Sequence, residues 1–226
     1  MQIDINADLA EGFPHDEGLM QLVSSVNLAC GAHAGNPQLM AKSLRLAHQL
    51  RKRIGAHPGY FDRDNFGRVE RAVAPEELCQ VVLYQMGALK ALADDVGAKV
   101  SYIKPHGAMY HQVNRDQRLA ETLVRIADQW ELAIVGLPDS ILEKECRKAE
   151  VTYWREGFAD RCYLPDRSLV PRDQPGAMID DPVEAVAQIH WLVQSVKVDT
   201  ICIHGDGDNA VVFLKQVIQL LSESKS

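Results

Sequence analysis

The stretch Asp4-Ile-Asn-Ala-Asp-Leu-Ala-Glu-Gly12 has the apolar positions of a β-strand, yet it carries four polar side chains in nine residues. Aspartate and asparagine are disfavoured inside strands, so carboxylates that gather where the strand ends indicate a ligand or a reaction. The same unit recurs along the chain: a short apolar run ends, a polar cluster rich in histidine follows, and a helical pattern begins. This repeated unit is the main evidence on the fold.

The repeat predicts seven strands that alternate with helices. After the first, the predicted strands are 25–30, 54–56, 100–103, 133–136, 151–154 and 200–203. Such alternation favours a parallel sheet covered by helices. Because every strand of a (β/α) barrel delivers its last residues to one mouth, the polar strand ends favour closure. We therefore predict an α/β fold, a seven-stranded (β/α) barrel, as a single domain over residues 1–226.

Composition excludes several functional classes. The chain has 226 residues, of which 46% are hydrophobic, as expected for a globular domain with a full core. Its net charge of -7 argues against nucleic acid as a partner. The sequence shows neither a secretory leader nor an apolar run long enough for a membrane span, so we expect a cytoplasmic protein with no membrane partner. The five scattered cysteines are expected to be reduced thiols.

Two long loops, 61–74 and 155–176, follow predicted strands and should therefore lie at the mouth. Both contain arginine and aromatic residues, which are the types that anchor interfaces, so they are candidates for a lid and for partner contact. Between them, Asn114 and Gln117 have the spacing of a capping box, which predicts a helix that begins there and continues to about Trp130.

Polar residues at the strand ends form the candidate site. They are Asn6, Asp8, Glu11, Asn27, His33, His57, Lys104, His106, Arg155, Glu156, His204 and Asp206. Histidine beside a carboxylate is suited to general acid/base catalysis near neutral pH, and Lys104 could stabilise a developing negative charge. The same side chains could instead bind a divalent metal and activate water. Residue spacing does not decide between these alternatives.

The remaining histidines and the missing motifs narrow the possibilities. His15, His48, His111 and His190 fall in loops or helical patterns and are expected to be structural or solvated. The sequence contains no P-loop, no G-x-G-x-x-G and no G-x-S-x-G nucleophile elbow. An EF-hand at 206–217 is excluded because the turn glycine and the final acidic ligand are missing. The chain therefore has no recognisable phosphate cradle of its own.

A set of sequence blocks resembles the LamB/YcsF family along nearly the whole chain. The blocks are 4–12 (DINADLAEG), 22–31 (LVSSVNLACG), 33–37 (HAGNP), 54–60 (IGAHPGY), 66–68 (FGR), 104–110 (KPHGAMY), 158–161 (FADR), 169–172 (LVPR) and 204–206 (HGD). The family usually has glycine where this chain has Ala10, and threonine or serine where it has Gly207. The first change affects the turn before Glu11, and the second removes a hydroxyl that could contact substrate.

The resemblance implies a barrel similar to those of sugar hydrolases and deacetylases. It also implies the opening of 5-oxoproline (pyroglutamate) to L-glutamate with ATP hydrolysis, by a subunit that works with two other 5-oxoprolinase subunits. ATP would then be used through the complex, with water attacking a phosphorylated lactam made by the partners. A homo-oligomer is also compatible with the sequence.

Roles in such a reaction can be assigned to the candidate residues. The expected catalytic residues are Asp8, His57, Lys104, His106 and His204. The expected substrate-binding residues are Asn6, Glu11, Asn27, His33, Arg68, Arg161, Arg172 and Asp206. One alternative is a stand-alone metal-dependent amidohydrolase or carbohydrate deacetylase that holds its metal with Asp8, His57 and His106. The other is a non-catalytic subunit that only positions its partners.

Overall fold

A computed structural model describes residues 3–172, 174–204 and 209–223. In these residues seven parallel strands pair in chain order, and the pairing of the first with the last closes the barrel, which confirms the predicted fold class. The strands are β1 (Asp4–Leu9), β2 (Ser25–Ala29), β3 (Arg53–His57), β4 (Val100–Ile103), β5 (Ala133–Gly136), β6 (Tyr153–Phe158) and β7 (Thr200–Cys202). The helices are α1 (Asp16–Leu22), α2 (Pro37–Gln49), α3 (Pro75–Asp95), α4 (Gly107–Arg115), α5 (Gln117–Gln129), α6 (Ile141–Lys148), α7 (Pro182–Trp191) and α8 (Ala210–Glu223).

Side-chain caps fix the beginning of several helices. The Asn36 carboxamide accepts a hydrogen bond from the backbone N–H of Leu39, with Pro37 in the first helical position. The carboxylate of Asp181 likewise caps α7, which is followed by a π-helical segment, Leu192–Val196. Among the described residues, no helix is both long and apolar enough to cross a membrane.

The helix predicted from Asn114 to about Trp130 ends as predicted but begins later, at Gln117, after the separate helix α4. Asp116 is the true cap of α5, since its carboxylate accepts hydrogen bonds from the N–H groups of residues 118 and 119. Asn114 lies inside the preceding α4, where its amide donates to the carbonyl of Tyr110 and its oxygen accepts from the N–H of Leu137. The capping-box prediction at this position was wrong because a buried tertiary contact, and not the helix end, uses the asparagine.

The sixth strand lies later than predicted, at Tyr153–Phe158 in place of 151–154. Glu156 is therefore a strand residue that points into the barrel, and it is completely buried. Arg155 points the other way: its guanidinium contacts the Val196 carbonyl at 2.9 Å and Asp139 at 2.6 Å, outside the mouth. The second long loop consequently begins after the strand, near residue 159.

Strand alternation separates an apolar layer from a polar one. In β1, Ile5, Ala7 and Leu9 belong to the hydrophobic core. Asn6 and Asp8 are also buried, but they point inward and bond to Asn27 on the neighbouring strand. The polar residues that lower strand propensity in the opening stretch are therefore the lining of the barrel.

Candidate functional site

A buried ammonium group forms the floor of the mouth. Lys104, which follows β4, is 2% exposed, and its Nζ lies 2.8 Å from Asp8 Oδ1 and 2.8 Å from Glu156 Oε1. Burial by itself would lower the pKa of Lys104, but the charge of Asp8 and the other nearby groups outweighs it and holds this pKa well above the usual value. Burial would likewise raise the pKa of Asp8, but His57 and Lys104 hold it well below its usual value. The lysine and Asp8 are therefore both charged.

Below this floor, a polar layer fixes the ion pairs. Asn6 donates to Glu156 Oε1 at 3.1 Å and to the Thr200 hydroxyl at 2.8 Å. Asn27 donates to Asn6 and to Asp8, at 2.7 Å in each case. These two asparagines, predicted to bind substrate, do not line the cavity. They orient the groups that do.

Beside the floor, three histidines and a carboxylate converge. His57 Nε2 lies 2.9 Å from His106 Nδ1, and Glu11 Oε1 lies 3.4 Å from His33 Nε2. The Glu11 oxygen is also 3.9 Å from His57 Nε2 and 3.6 Å from His106 Nδ1. The pKa values of His33 and His106 are both well below the usual value, mainly because the rings are buried and secondly because histidines lie next to them. The structure thus gathers four strand-end residues that are far apart in the sequence.

The turn that carries Glu11 has a strained backbone. Ala10 adopts φ +61° and is fully buried. This left-handed conformation is one that glycine adopts at lower cost, which agrees with the glycine that the resemblance leads us to expect at this position. In this chain the alanine adopts the left-handed conformation that the turn before Glu11 requires.

A fourth histidine of the mouth, His204, is oriented by an aspartate. His204 Nδ1 lies 2.9 Å from Asp160 Oδ2 and 3.1 Å from Oδ1, and the backbone N–H of His204 donates to the same carboxylate. Burial tends to raise the pKa of Asp160, but the adjacent His204 outweighs this and lowers it. A carboxylate that accepts from Nδ1 leaves Nε2 as the reactive nitrogen.

Above the floor lies an open cavity of about 770 Å³. Asp8, His57, Lys104, His106 and His204 line its base. Its rim carries arginines from both long loops, and these are Arg68, Arg161 and Arg172. Burial and the charge of Arg172 lower the pKa of Arg161, whose guanidinium also donates to the Val170 carbonyl at 2.6 Å. The base of the cavity therefore carries a carboxylate, an ammonium group and histidines, and its rim carries the positive charge of the arginines.

Four further cavities, of about 520 to 590 Å³, share no lining residue with this one. Two of them border residues that begin strands, such as Arg53, Val100 and Ala133. No histidine lines any of the four among the described residues. The mouth is thus the candidate site by both size and chemistry.

Sequence reasoning missed several residues of the site. Asp160, the partner of His204, was not assigned a role, although it lies in the block 158–161 that carries the family resemblance. Tyr102 donates from its hydroxyl to Asn27 at 2.6 Å, and no local pattern marks it. His111 was expected in a polar loop but lies on α4 at the cavity edge. Asp206 and Gly207 lie outside the described residues.

Comparison with known proteins gives a consistent assignment. The sequence pattern of the LamB/YcsF family matches residues 3–226. The chain is 41% identical over 237 residues to the A subunit of 5-oxoprolinase from Haemophilus influenzae (strain PittEE), covering 99% of this chain and 97% of that protein. It is 44% identical over 234 residues to the protein of the same name from Neisseria meningitidis serogroup C (strain 053442), covering 97% and 96%.

A solved structure extends this agreement to the fold. The lactam utilization protein from Thermus thermophilus matches with a TM-score of 0.91 and 37% identity, covering 100% of this chain and 98% of that chain. Identity at this level over full length, together with the family match, leaves one assignment: the chain belongs to the LamB/YcsF family.

Proposed function

We propose that the chain hydrolyses the lactam of 5-oxoproline to L-glutamate as one subunit of an ATP-dependent 5-oxoprolinase complex. The observation that carries the proposal is the full-length similarity to relatives named as the A subunit of 5-oxoprolinase, at 41% and 44% identity. The name of the structural relative, a lactam utilization protein, supports the same substrate class. Because the reaction consumes ATP, we place it in the cytoplasm.

The proposed chemistry begins outside this chain. A five-membered lactam has a stabilised amide and re-closes readily, so partner subunits would first transfer phosphate from ATP to the amide oxygen. Water then adds to the ring carbon and the C–N bond breaks as the nitrogen takes up a proton. The acyl phosphate that remains is hydrolysed by a second water to glutamate and phosphate. The mouth must therefore move protons and hold two anionic groups.

The side chains of the mouth suit these steps. His204, oriented by Asp160, is the candidate general base because its Nε2 is left for the water. The Lys104 ammonium at the floor is the candidate partner for negative charge that develops on oxygen. Arg68, Arg161 and Arg172 at the rim can bind carboxylate and phosphate as bidentate donors. Asp8 supports the lysine by charge.

The division of labour between subunits follows from what the sequence lacks. With no P-loop, the isolated chain should bind ATP weakly and should not open 5-oxoproline alone. Micromolar binding of ATP in a calorimetric titration, together with turnover in the absence of partners, would overturn the proposal. It would put the whole ATP-dependent reaction on this one chain.

Reconstitution with the two partner subunits, ATP and 5-oxoproline tests the assigned base. We expect His204→Gln to lower the rate of glutamate formation by about 10²- to 10⁴-fold, the usual contribution of a general base. The matched control is His48→Ala, because His48 is an exposed histidine on α2. Full activity of His204→Gln in an assembled complex would refute the role of this residue. The base would then have to be sought among Asp8, His57 and His106.

A further inference from the structure

We propose that Glu11, His33, His57 and His106 form a binding site for a divalent transition-metal ion, with Zn²⁺ as the best match. One potential ligand atom from each of the four lies within 4.8 Å of all the others. The site does not depend on the proposed reaction, because it is argued from the geometry of the free chain.

The separations match those of a tetrahedral site. Two nitrogens bound at about 2.0–2.1 Å to a tetrahedral zinc lie about 3.3 Å apart. Here the distance from His57 Nε2 to His106 Nδ1 is 2.9 Å, and the Glu11 oxygen lies between 3.4 and 3.9 Å from the three histidine nitrogens. The four ligand atoms all lie within 4.8 Å of one another, so small movements of Glu11, His57 and His106 and a tilt of the His33 ring would centre them on one ion.

The hydrogen bonds of two of the rings leave two lone pairs facing each other. His57 Nδ1 lies 2.7 Å from the Lys104 carbonyl, and His106 Nε2 lies 2.8 Å from the Phe66 carbonyl. A carbonyl oxygen can only accept, so these two nitrogens carry the protons. In the neutral rings His57 Nε2 and His106 Nδ1 are then both acceptors, although they are 2.9 Å apart. Either a proton shared between them or a cation bound by both removes the repulsion, and a backbone carbonyl behind each ring is the usual support of a metal-bound histidine.

His33 supplies the independent observation. The side chain is completely buried, and neither ring nitrogen has a hydrogen-bond partner among the described residues. A polar ring that is buried without partners is costly, and one nitrogen faces the Glu11 carboxylate. Gly59 packs closely against the ring, because a Cβ added at this glycine would lie only 2.4 Å from His33 Nδ1. The rings of His33 and His106 stack in parallel at 3.8 Å, so His33 must tilt to complete the set.

A second group of potential ligands, Asp8, Cys202 and His204, does not make a competing site. The Lys104 ammonium already lies among them, 2.8 Å from Asp8 Oδ1 and 3.1 Å from Cys202 Sγ. A divalent ion there would be repelled by this charge. The four-residue set differs from the Asp8, His57 and His106 set expected from the sequence: Asp8 Oδ1 is paired with the lysine, and Oδ2 lies 3.4 Å from His57 Nε2.

The ligand types select the metal. Three imidazoles and one carboxylate are borderline donors that suit zinc and its neighbours in the first transition row, and they do not suit Ca²⁺ or Mg²⁺. We expect chelator-treated chain to take up one equivalent of Zn²⁺ in a calorimetric titration, at submicromolar Kd and with no response to Mg²⁺. Co²⁺ should give the visible absorption band of a tetrahedral nitrogen-rich site.

Variants locate the ion. His57→Ala and His106→Ala should each lower the Zn²⁺ affinity at least 100-fold, and His33→Ala should lower it about tenfold because that ring needs to tilt. His48→Ala is the control, with unchanged affinity expected. Circular dichroism shows which variants are folded, and for any that are not, ring ¹⁵N shifts of the unmodified chain on adding Zn²⁺ report the same ligands. The proposal is overturned by a wild-type Kd in the millimolar range, by unchanged affinity in folded His57→Ala, or by ring shifts confined to other histidines. Any of these results would indicate that a proton, and not a metal ion, lies between His57 Nε2 and His106 Nδ1.

Discussion

Replacing Lys104 by methionine tests whether the ion-paired floor holds the barrel together. The ammonium is buried, and it contacts both Asp8 and Glu156, whose oxygens each lie 2.8 Å from Nζ. At an effective dielectric constant of 20, one pair of unit charges 4 Å apart is worth about 4 kcal/mol. Removing one member of a buried pair typically costs about 3–5 kcal/mol because the other charge is left unpaired. We therefore expect Lys104→Met to lower the free energy of unfolding by about 3–5 kcal/mol.

Urea unfolding at pH 7 measures this effect, and two further variants isolate its cause. Lys90→Met is the matched control, because Lys90 pairs with Asp94 at 2.8 Å on an exposed face, where a pair contributes about 0–1 kcal/mol. In a Glu156→Gln background the lysine has only one carboxylate partner, Asp8. Lys104→Met should therefore cost at least about 1 kcal/mol less there, a coupling well above the usual additivity error. Equal costs at positions 104 and 90, or additive effects of the changes at 104 and 156, would refute the reasoning.

Two further predictions concern stability away from the floor. Gly35→Ala should destabilise the fold by more than about 2 kcal/mol, since its φ of +77° adds about 1–2 kcal/mol of strain and its Cβ would lie 2.7 Å from the Ala10 carbonyl oxygen. Gly87→Ala, inside α3 with open space around it, should instead stabilise by about 0.5–1 kcal/mol, so a similar destabilisation of both in urea would contradict this account. The pKa of Asp160 is lowered in the folded state, so its contribution to stability is present above its unfolded pKa and is lost as pH falls through the folded pKa. Asp160→Asn should therefore destabilise at pH 7 and lose this deficit towards pH 3, whereas a difference independent of pH would show that the pairing with His204 contributes nothing.

The fold could be predicted because its information is local. Each apolar run followed by a polar cluster and a helical pattern specifies a strand and the helix after it, whatever the rest of the chain does. Failures occurred where a tertiary contact overrode the local pattern. Asn114 has the spacing of a helix cap, but its side-chain oxygen accepts a hydrogen bond from the N–H of Leu137. The second half of β6 was not predicted because Arg155 and Glu156 are polar.

The candidate site was predictable as a set of residues and not as an arrangement. Parallel strands in a closed barrel send their ends to one mouth, so the histidines and carboxylates at those ends had to converge. Which of them would meet depends on register and on strand parity. The bond from Asn6 to Thr200 joins residues 194 positions apart, and only closure between β1 and β7 creates it.

The sequence alone determined the alternation of strands and helices, the mouth and the inventory of ionisable groups there, because these depend on short-range patterns. Only the tertiary structure decided which of these ionisable groups contact one another. It paired Lys104 with Asp8 and Glu156 at the floor, and it left Glu11 with the three histidines beside it. The physical reason is that a buried charge or lone pair must be satisfied by whatever the closed barrel places within about 3 Å of it, and that neighbour comes from a distant part of the chain.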